Sequence, residues 1–132
     1  MSYGKKEYQQ KVLELGKNIF GNNFKPLIKN QPLDEFSKFL ANIDIAVMNH
    51  DRQQGMTTMR ALLFLEKKVY LSRSSNSFSD FTSLKLVVSY TLEIKKQSFE
   101  QFISNPKNNN KSILKTELSE KNHAQMWEKL FR

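Results

Sequence analysis

The sequence predicts an α/β fold with a Rossmann-like parallel sheet, on three observations. Stretches with a helical period of apolar residues alternate with short apolar runs, the runs are too short to be helices, and the connections between them are brief. Short links between alternating elements favour right-handed crossovers, and so parallel strands. At 132 residues the chain has room for one compact core.

In the first predicted helix, residues 7–20, Tyr8, Val12, Leu15 and Ile19 fall on one face and Gly21 is placed as a stop. Asn22 and Asn23 turn the chain, and residues 24–27 around Pro26 predict a short strand. Pro32 opens a second helix with Leu33, Phe36, Phe39 and Leu40 on one face, and Asp34 and Glu35 suit the positive end of its dipole. Residues 44–49, Asp-Ile-Ala-Val-Met-Asn, read as a buried parallel strand, and the polar string from His50 to Gly55 leads into a helix over 56–66. A strand follows over 68–72, a helix over 78–84 and a strand over 85–88.

Residues 1–94 thus form the predicted α/β core, and 95–132 a helical tail of the same single lobe. In the tail, Ser98-Phe99-Glu100-Gln101 matches a capping box opening a helix to about residue 104, and Asn105-Pro106 stops it. Residues 108–111 read as a polar loop. The last helix, 119–131, carries Ala124, Trp127, Leu130 and Phe131 on one stripe, which is expected to pack on the sheet.

Composition narrows the chemistry. With 39% hydrophobic residues and a mean hydropathy of −0.59, the chain lies outside the disordered class. It has no apolar run of the ~18 to 20 residues a spanning helix needs, and its opening lacks the apolar stretch of a signal peptide, so a cytoplasmic location is expected. The absence of cysteine excludes disulfides, thiolate metal sites and cysteine nucleophiles. Neither His50 nor His123 stands in a carboxylate cluster with ligand spacing, so no metal site is expected. The charge of +8 sits at the two ends: residues 1–30 hold six Lys against two Glu, and residues 95–132 hold eight basic against four acidic side chains. Scattered lysines in an Asn-rich chain read as compositional habit; attraction to nucleic acid or to an acidic membrane face is the other reading.

The stretch from Asp44 to Leu65 is the most informative, because ligands of open α/β sheets bind at the carboxyl ends of strands. A helix N-terminus there offers free N–H groups to an anion, and Arg52 adds a bidentate cation. The competing reading pairs Arg52 with Asp51 or Asp44 and leaves Gln53 and Gln54 as helix caps. His50 is read as a loop hydrogen bonder, with catalysis as the alternative; His123, Trp127 and the helically spaced Phe residues read as packing.

The residues Ser2-Tyr3-Gly4, Tyr8, Gly16, Phe20-Gly21-Asn22-Asn23-Phe24, Pro26-Leu27, Asn49-His50-Asp51-Arg52-Gln53-Gln54-Gly55, Ala61-Leu62-Leu63 and Lys67-Lys68-Val69-Tyr70-Leu71 together resemble the bacterial 4-alpha-L-fucosyltransferase family. The similarity is strongest from Ser2 to Ser72, and its specific part is Arg-Gln-Gln-Gly after the Asp-Ile-Ala-Val-Met-Asn-His strand. It implies the C-terminal, donor-binding lobe of a two-lobed GT-B glycosyltransferase acting in surface-polysaccharide synthesis such as that of enterobacterial common antigen. The implied donor is a TDP- or UDP-linked, fucosamine-like deoxy-amino sugar and the implied acceptor a lipid-linked saccharide, reached through an N-terminal lobe at the inner face of the cytoplasmic membrane.

By the same resemblance, Arg52, Gln53, Gln54, Gly55, Thr57 and Thr58 bind the donor diphosphate, while Ser2, Tyr3, Gly4, Asn49 and His50 are further donor contacts. Neither metal nor cofactor is implied, since cationic side chains and the helix dipole stabilise the leaving diphosphate. Gly55-Met56-Thr57-Thr58 departs from the family pattern by placing Thr where a second Gly is usual, which limits close approach of a diphosphate to the backbone. The family's strand before Ser-Tyr-Gly has no counterpart here, so exposed strand edges and a dimer along them are expected, and no sugar transfer by these residues alone. The other functional class is a catalytically inactive α/β interaction or binding module; nucleic acid is not an expected partner.

Overall fold

The computed structural model describes residues 6–130. The chain falls into two compact units, Met1–Ser37 and Lys38–Arg132.

In the first unit, helix α1 (Lys6–Phe20) ends where Gly21 takes a left-handed φ of 54°, and a 3-10 turn covers Gly21–Asn23. Gly16 is buried under the Phe24 ring, which also stacks on Phe20 at 6.3 Å. A Cβ at Gly16 would overlap that ring, so the close packing is what requires glycine there. The expected strand over 24–27 is therefore corrected: those residues run as irregular chain. Pro26 removes a backbone donor, and Phe24 spends its side chain on α1 rather than on a sheet. The unit boundary falls inside α2 (Leu33–Ala41), which follows Pro32 as predicted.

The second unit contains a three-stranded, wholly parallel sheet in the order β1 (Ile45–Met48), β2 (Lys68–Leu71), β3 (Ser89–Tyr90). Helix α3 (Met56–Phe64) joins β1 to β2, and α4 (Asn76–Ser83) joins β2 to β3. Register places Val47 beside Tyr70 and Met48 beside Leu71 in the first pair, and Leu71 beside Tyr90 in the second. The parallel α/β expectation holds, and every residue of the central strand β2 is buried.

Strand residues alternate between faces, which divides β2's partners. Val69 and Leu71 point to one side of the sheet and Lys68 and Tyr70 to the other. On that second side Tyr70 stacks on Phe102 at 5.6 Å and its hydroxyl donates to Gln97 Oε1 at 2.7 Å. The Lys68 ammonium donates to the Gln101 and Phe102 carbonyls at 2.6 and 3.0 Å, closing the C-terminal end of α5 (Phe99–Ile103). The predicted capping box at Ser98 opens α5. The segment that reads as a tail thus supplies side chains that cover the sheet.

Two helix ends use one device. Glu66 has φ 57°; its N–H donates to Leu63 O at 3.0 Å and the Lys67 N–H to Leu62 O at 2.9 Å. After α4, Lys85 has φ 61°; its N–H donates to Thr82 O, and the Leu86 N–H to Phe81 O, both at 2.9 Å. These are Schellman ends with a side chain where glycine is the usual residue, a conformation costing about 1–2 kcal/mol for other residues. Glu66→Gly and Lys85→Gly are each expected to stabilise by about 0.5–1 kcal/mol, net of the greater freedom of glycine in the unfolded chain. Urea unfolding midpoints that fall or stay put would show that the turns carry no such cost.

The second Schellman end corrects the expected strand over 85–88. Lys85 cannot be extended while it ends the helix, and Val87 meets a different partner. Its N–H donates to Asn110 Oδ1 at 2.7 Å and its carbonyl accepts from Asn110 Nδ2 at 2.9 Å, so pairing with β2 starts only at Ser89. Asn110 belongs to α6 (Asn110–Glu117), which corrects the loop read over 108–111; α7 (Glu120–Leu130) follows. Helix α6 packs on α3. The expected burial of the last helix is corrected too: Ala124 and Trp127 are exposed, Trp127 to 61%. Phe131 lies outside the described residues. Among the described residues, no helix is long and apolar enough to cross a membrane.

Candidate functional site

Parallel strands end at one edge of their sheet, so the residues that follow β1, β2 and β3 are neighbours whatever their distance in sequence. The connections from β1 to β2 and from β2 to β3 step in the same direction, so the described strands contain no reversal of order at which a crevice would open. The carboxyl edge is instead closed by side chains. Thr91 Oγ1, just after β3, donates to Asn49 Oδ1, just after β1, at 2.7 Å.

Asp51 is the anchor of the turn after β1. Its Oδ1 accepts from Ser72 Oγ at 2.9 Å and from Ser74 Oγ at 2.5 Å. Each hydroxyl has one proton, so the 2.8 Å approach of the two serines to each other is contact rather than a further donated bond. The Ser74 hydroxyl first, then that of Ser72, and then the nearby His50 imidazole hold the Asp51 carboxyl below its ordinary value of 3.8, against a desolvation effect. A folded-state value below the unfolded one adds stability that is present above 3.8 and is lost as pH falls through the lowered value. A carboxyl-carbon NMR titration is expected to place Asp51 below 3.8, and Ser74→Ala to raise it; an unmoved titration would show that the hydroxyl is not the cause.

With Asp51 so engaged, the reading that pairs it with Arg52 is not what the structure holds. Arg52 is exposed, and among the described residues its guanidinium has neither hydrogen bond nor ion pair. The Arg52 carbonyl accepts from His50 Nδ1 at 2.7 Å. Because a carbonyl only accepts, Nδ1 carries the proton in this contact. Gln53 Nε2 donates to Asp80 Oδ2 at 3.3 Å, fixing the turn to α4, while Gln54 is exposed.

Gly55 takes a left-handed φ of 65° immediately before α3. It supplies no side-chain cap, so Thr57 and Thr58 lie in a first helical turn whose N–H groups no cap side chain occupies. Asn49, His50, Arg52, Gln53, Gln54, Gly55, Thr57 and Thr58 therefore share one connected turn and helix start. Ser2, Tyr3 and Gly4 lie outside the described residues.

Sequence reasoning missed Ser72, Ser74, Asp80 and Thr91, and it also missed Arg73, whose guanidinium sits 5.5 Å from the Tyr90 ring centroid. Tyr90 in turn meets Phe78 edge-on at 6.4 Å. The signal for Ser72 and Ser74 was their place directly after a strand parallel to the first; Thr91 was hidden by setting the third strand too early. Among the described residues no group of three or more His, Asp or Glu side chains could hold a metal ion. The arrangement offers two guanidinium groups and uncapped helical N–H groups at a single edge, a chemistry suited to an anion. Comparison with known proteins finds no family model, no curated protein and no solved structure that matches the chain.

Proposed function

We propose that this chain is the donor-binding lobe of a GT-B glycosyltransferase, and that the turn after β1 receives the diphosphate of a TDP- or UDP-linked deoxy-amino sugar. The observation that carries the reading is the division of labour in the turn: Asp51 is held by two serines, which leaves the Arg52 guanidinium unpaired among the described residues beside the uncapped start of α3. The resemblance at Arg52-Gln53-Gln54-Gly55 supports it. Arg52 and the helix N-terminus would hold the diphosphate and stabilise its charge as it leaves, without a metal. Gln53, bound to Asp80, positions the turn, and Gln54 is the freer of the two to meet the ligand. Transfer to a lipid-linked saccharide would need an acceptor placed in line with the anomeric carbon by a second lobe.

Calorimetric titration of TDP, UDP and inorganic pyrophosphate tests the reading. Arg52→Ala is expected to weaken nucleoside diphosphate binding by about 1.5–3 kcal/mol, the range for a charged hydrogen bond. Affinity unchanged in that variant would move the site elsewhere, and no binding by the parent chain would remove the reading.

A second reading, a non-catalytic interaction module, is favoured by β1, which among the described residues pairs on one side only and leaves Val47 half exposed. An open strand edge is a template for a further strand, including that of a second copy. A concentration-dependent dimer abolished by Val47→Lys, with no diphosphate binding, would establish it.

A further inference from the structure

A cavity of about 130 Å³ lies where α3, α6, α7 and the end of α4 meet, walled by Leu84, Leu114, Leu118 and Met126. Two opposite charges line it, Arg60 and Glu117. Arg60 Nε is buried without a hydrogen-bond partner. Among the described residues no ion pair joins Arg60 or Glu117 to anything, including each other. A buried guanidinium nitrogen without an acceptor is costly, and native proteins leave few such groups unsatisfied. His123 also lines the cavity, as an exposed residue.

We propose that this cavity binds a small zwitterion with a short branched apolar side chain, an apolar α-amino acid such as valine. The carboxylate meets the Arg60 fork, the ammonium meets Glu117, and the side chain fills the Leu and Met wall. The volume is roughly that of a cavity accepting a benzene ring, which suits an isopropyl group and excludes a large aromatic side chain. A simple anion would leave Glu117 facing it with a like charge, and a simple cation would do the same with Arg60, so only a ligand carrying both charges matches both groups. The site is separate from the diphosphate turn, and its fate does not depend on that reading.

NMR titration of the labelled full chain with L-valine, isovalerate and isobutylamine tests this without any substitution. L-Valine is expected to shift the Arg60 Nε–Hε signal and the Leu114 and Met126 methyls along one saturable curve. Isovalerate lacks the amine and isobutylamine lacks the carboxylate, so each is expected to bind about tenfold more weakly or worse. Arg60→Gln and Glu117→Gln should each bring a similar loss for L-valine, with circular dichroism confirming that both variants fold. Equal binding of valine and isovalerate would overturn the assignment of Glu117 and with it the zwitterion. Absence of any saturable shift at millimolar valine would overturn the site.

Discussion

Asn110→Leu is expected to destabilise the second unit by about 2–5 kcal/mol, because it strands two main-chain groups at once. The Asn110 side chain is 1% exposed, and its amide both accepts from the Val87 N–H and donates to the Val87 carbonyl. Leucine has comparable size but neither function, so burial is kept while both partners lose their bonds. Asn110→Asp retains the acceptor toward the Val87 N–H but turns a second acceptor on its carbonyl, and is expected to be as damaging at neutral pH. Set against the 5–15 kcal/mol typical of a whole domain, the loss is large enough to appear directly in urea unfolding. A loss under about 0.5 kcal/mol for Asn110→Leu would mean that water takes over the amide's role.

The second large effect is expected at Tyr70, the fully buried centre of the sheet. Tyr70→Ala removes the ring that stacks on Phe102 and the hydroxyl that donates to Gln97, for about 3–5 kcal/mol. Tyr70→Phe keeps the ring and should cost only about 1–2 kcal/mol, which separates packing from the hydrogen bond. Hydrogen exchange in Tyr70→Ala should speed first in α5 and the segment before it, since those residues rest on this ring. Uniform acceleration across the second unit would show instead that the sheet and its cover open together.

The sequence made the first two strands and most helices legible because their apolar spacing is plain: Ile45–Met48 and Lys68–Leu71 are short buried runs, and Ser98 heads a complete capping box. It misled where a partner distant in sequence decides the backbone. Leu86-Val87-Val88 has strand composition, yet Asn110 claims the main chain of Val87 from 23 residues away. Asn110 looked like loop composition because asparagine is a poor helix former, and burial against Val87 overrides that preference. At the candidate site, the turn around Arg52 was legible from its place between strand and helix. The serines that hold Asp51 were not, because their role arises from a neighbouring strand rather than from the local sequence.

The strand order, which follows the chain order, also bears on how the second unit assembles. β1 meets β2 through one helix and β2 meets β3 through the next, so each pairing closes a loop of modest length and none waits for a segment from the far end of the chain. Loop-closure entropy rises slowly with length and is met here in small instalments, which places these pairings among the more local ones a parallel sheet can have. The β1–α3–β2 segment contains a complete strand pair of four residues on each side and can serve as a template. The two-residue β3 comes next in chain order, and Asn110 of α6 fastens Val87 just before it. Chain growth and sheet growth run in the same direction, so a nascent chain can build this sheet in the order in which it is made.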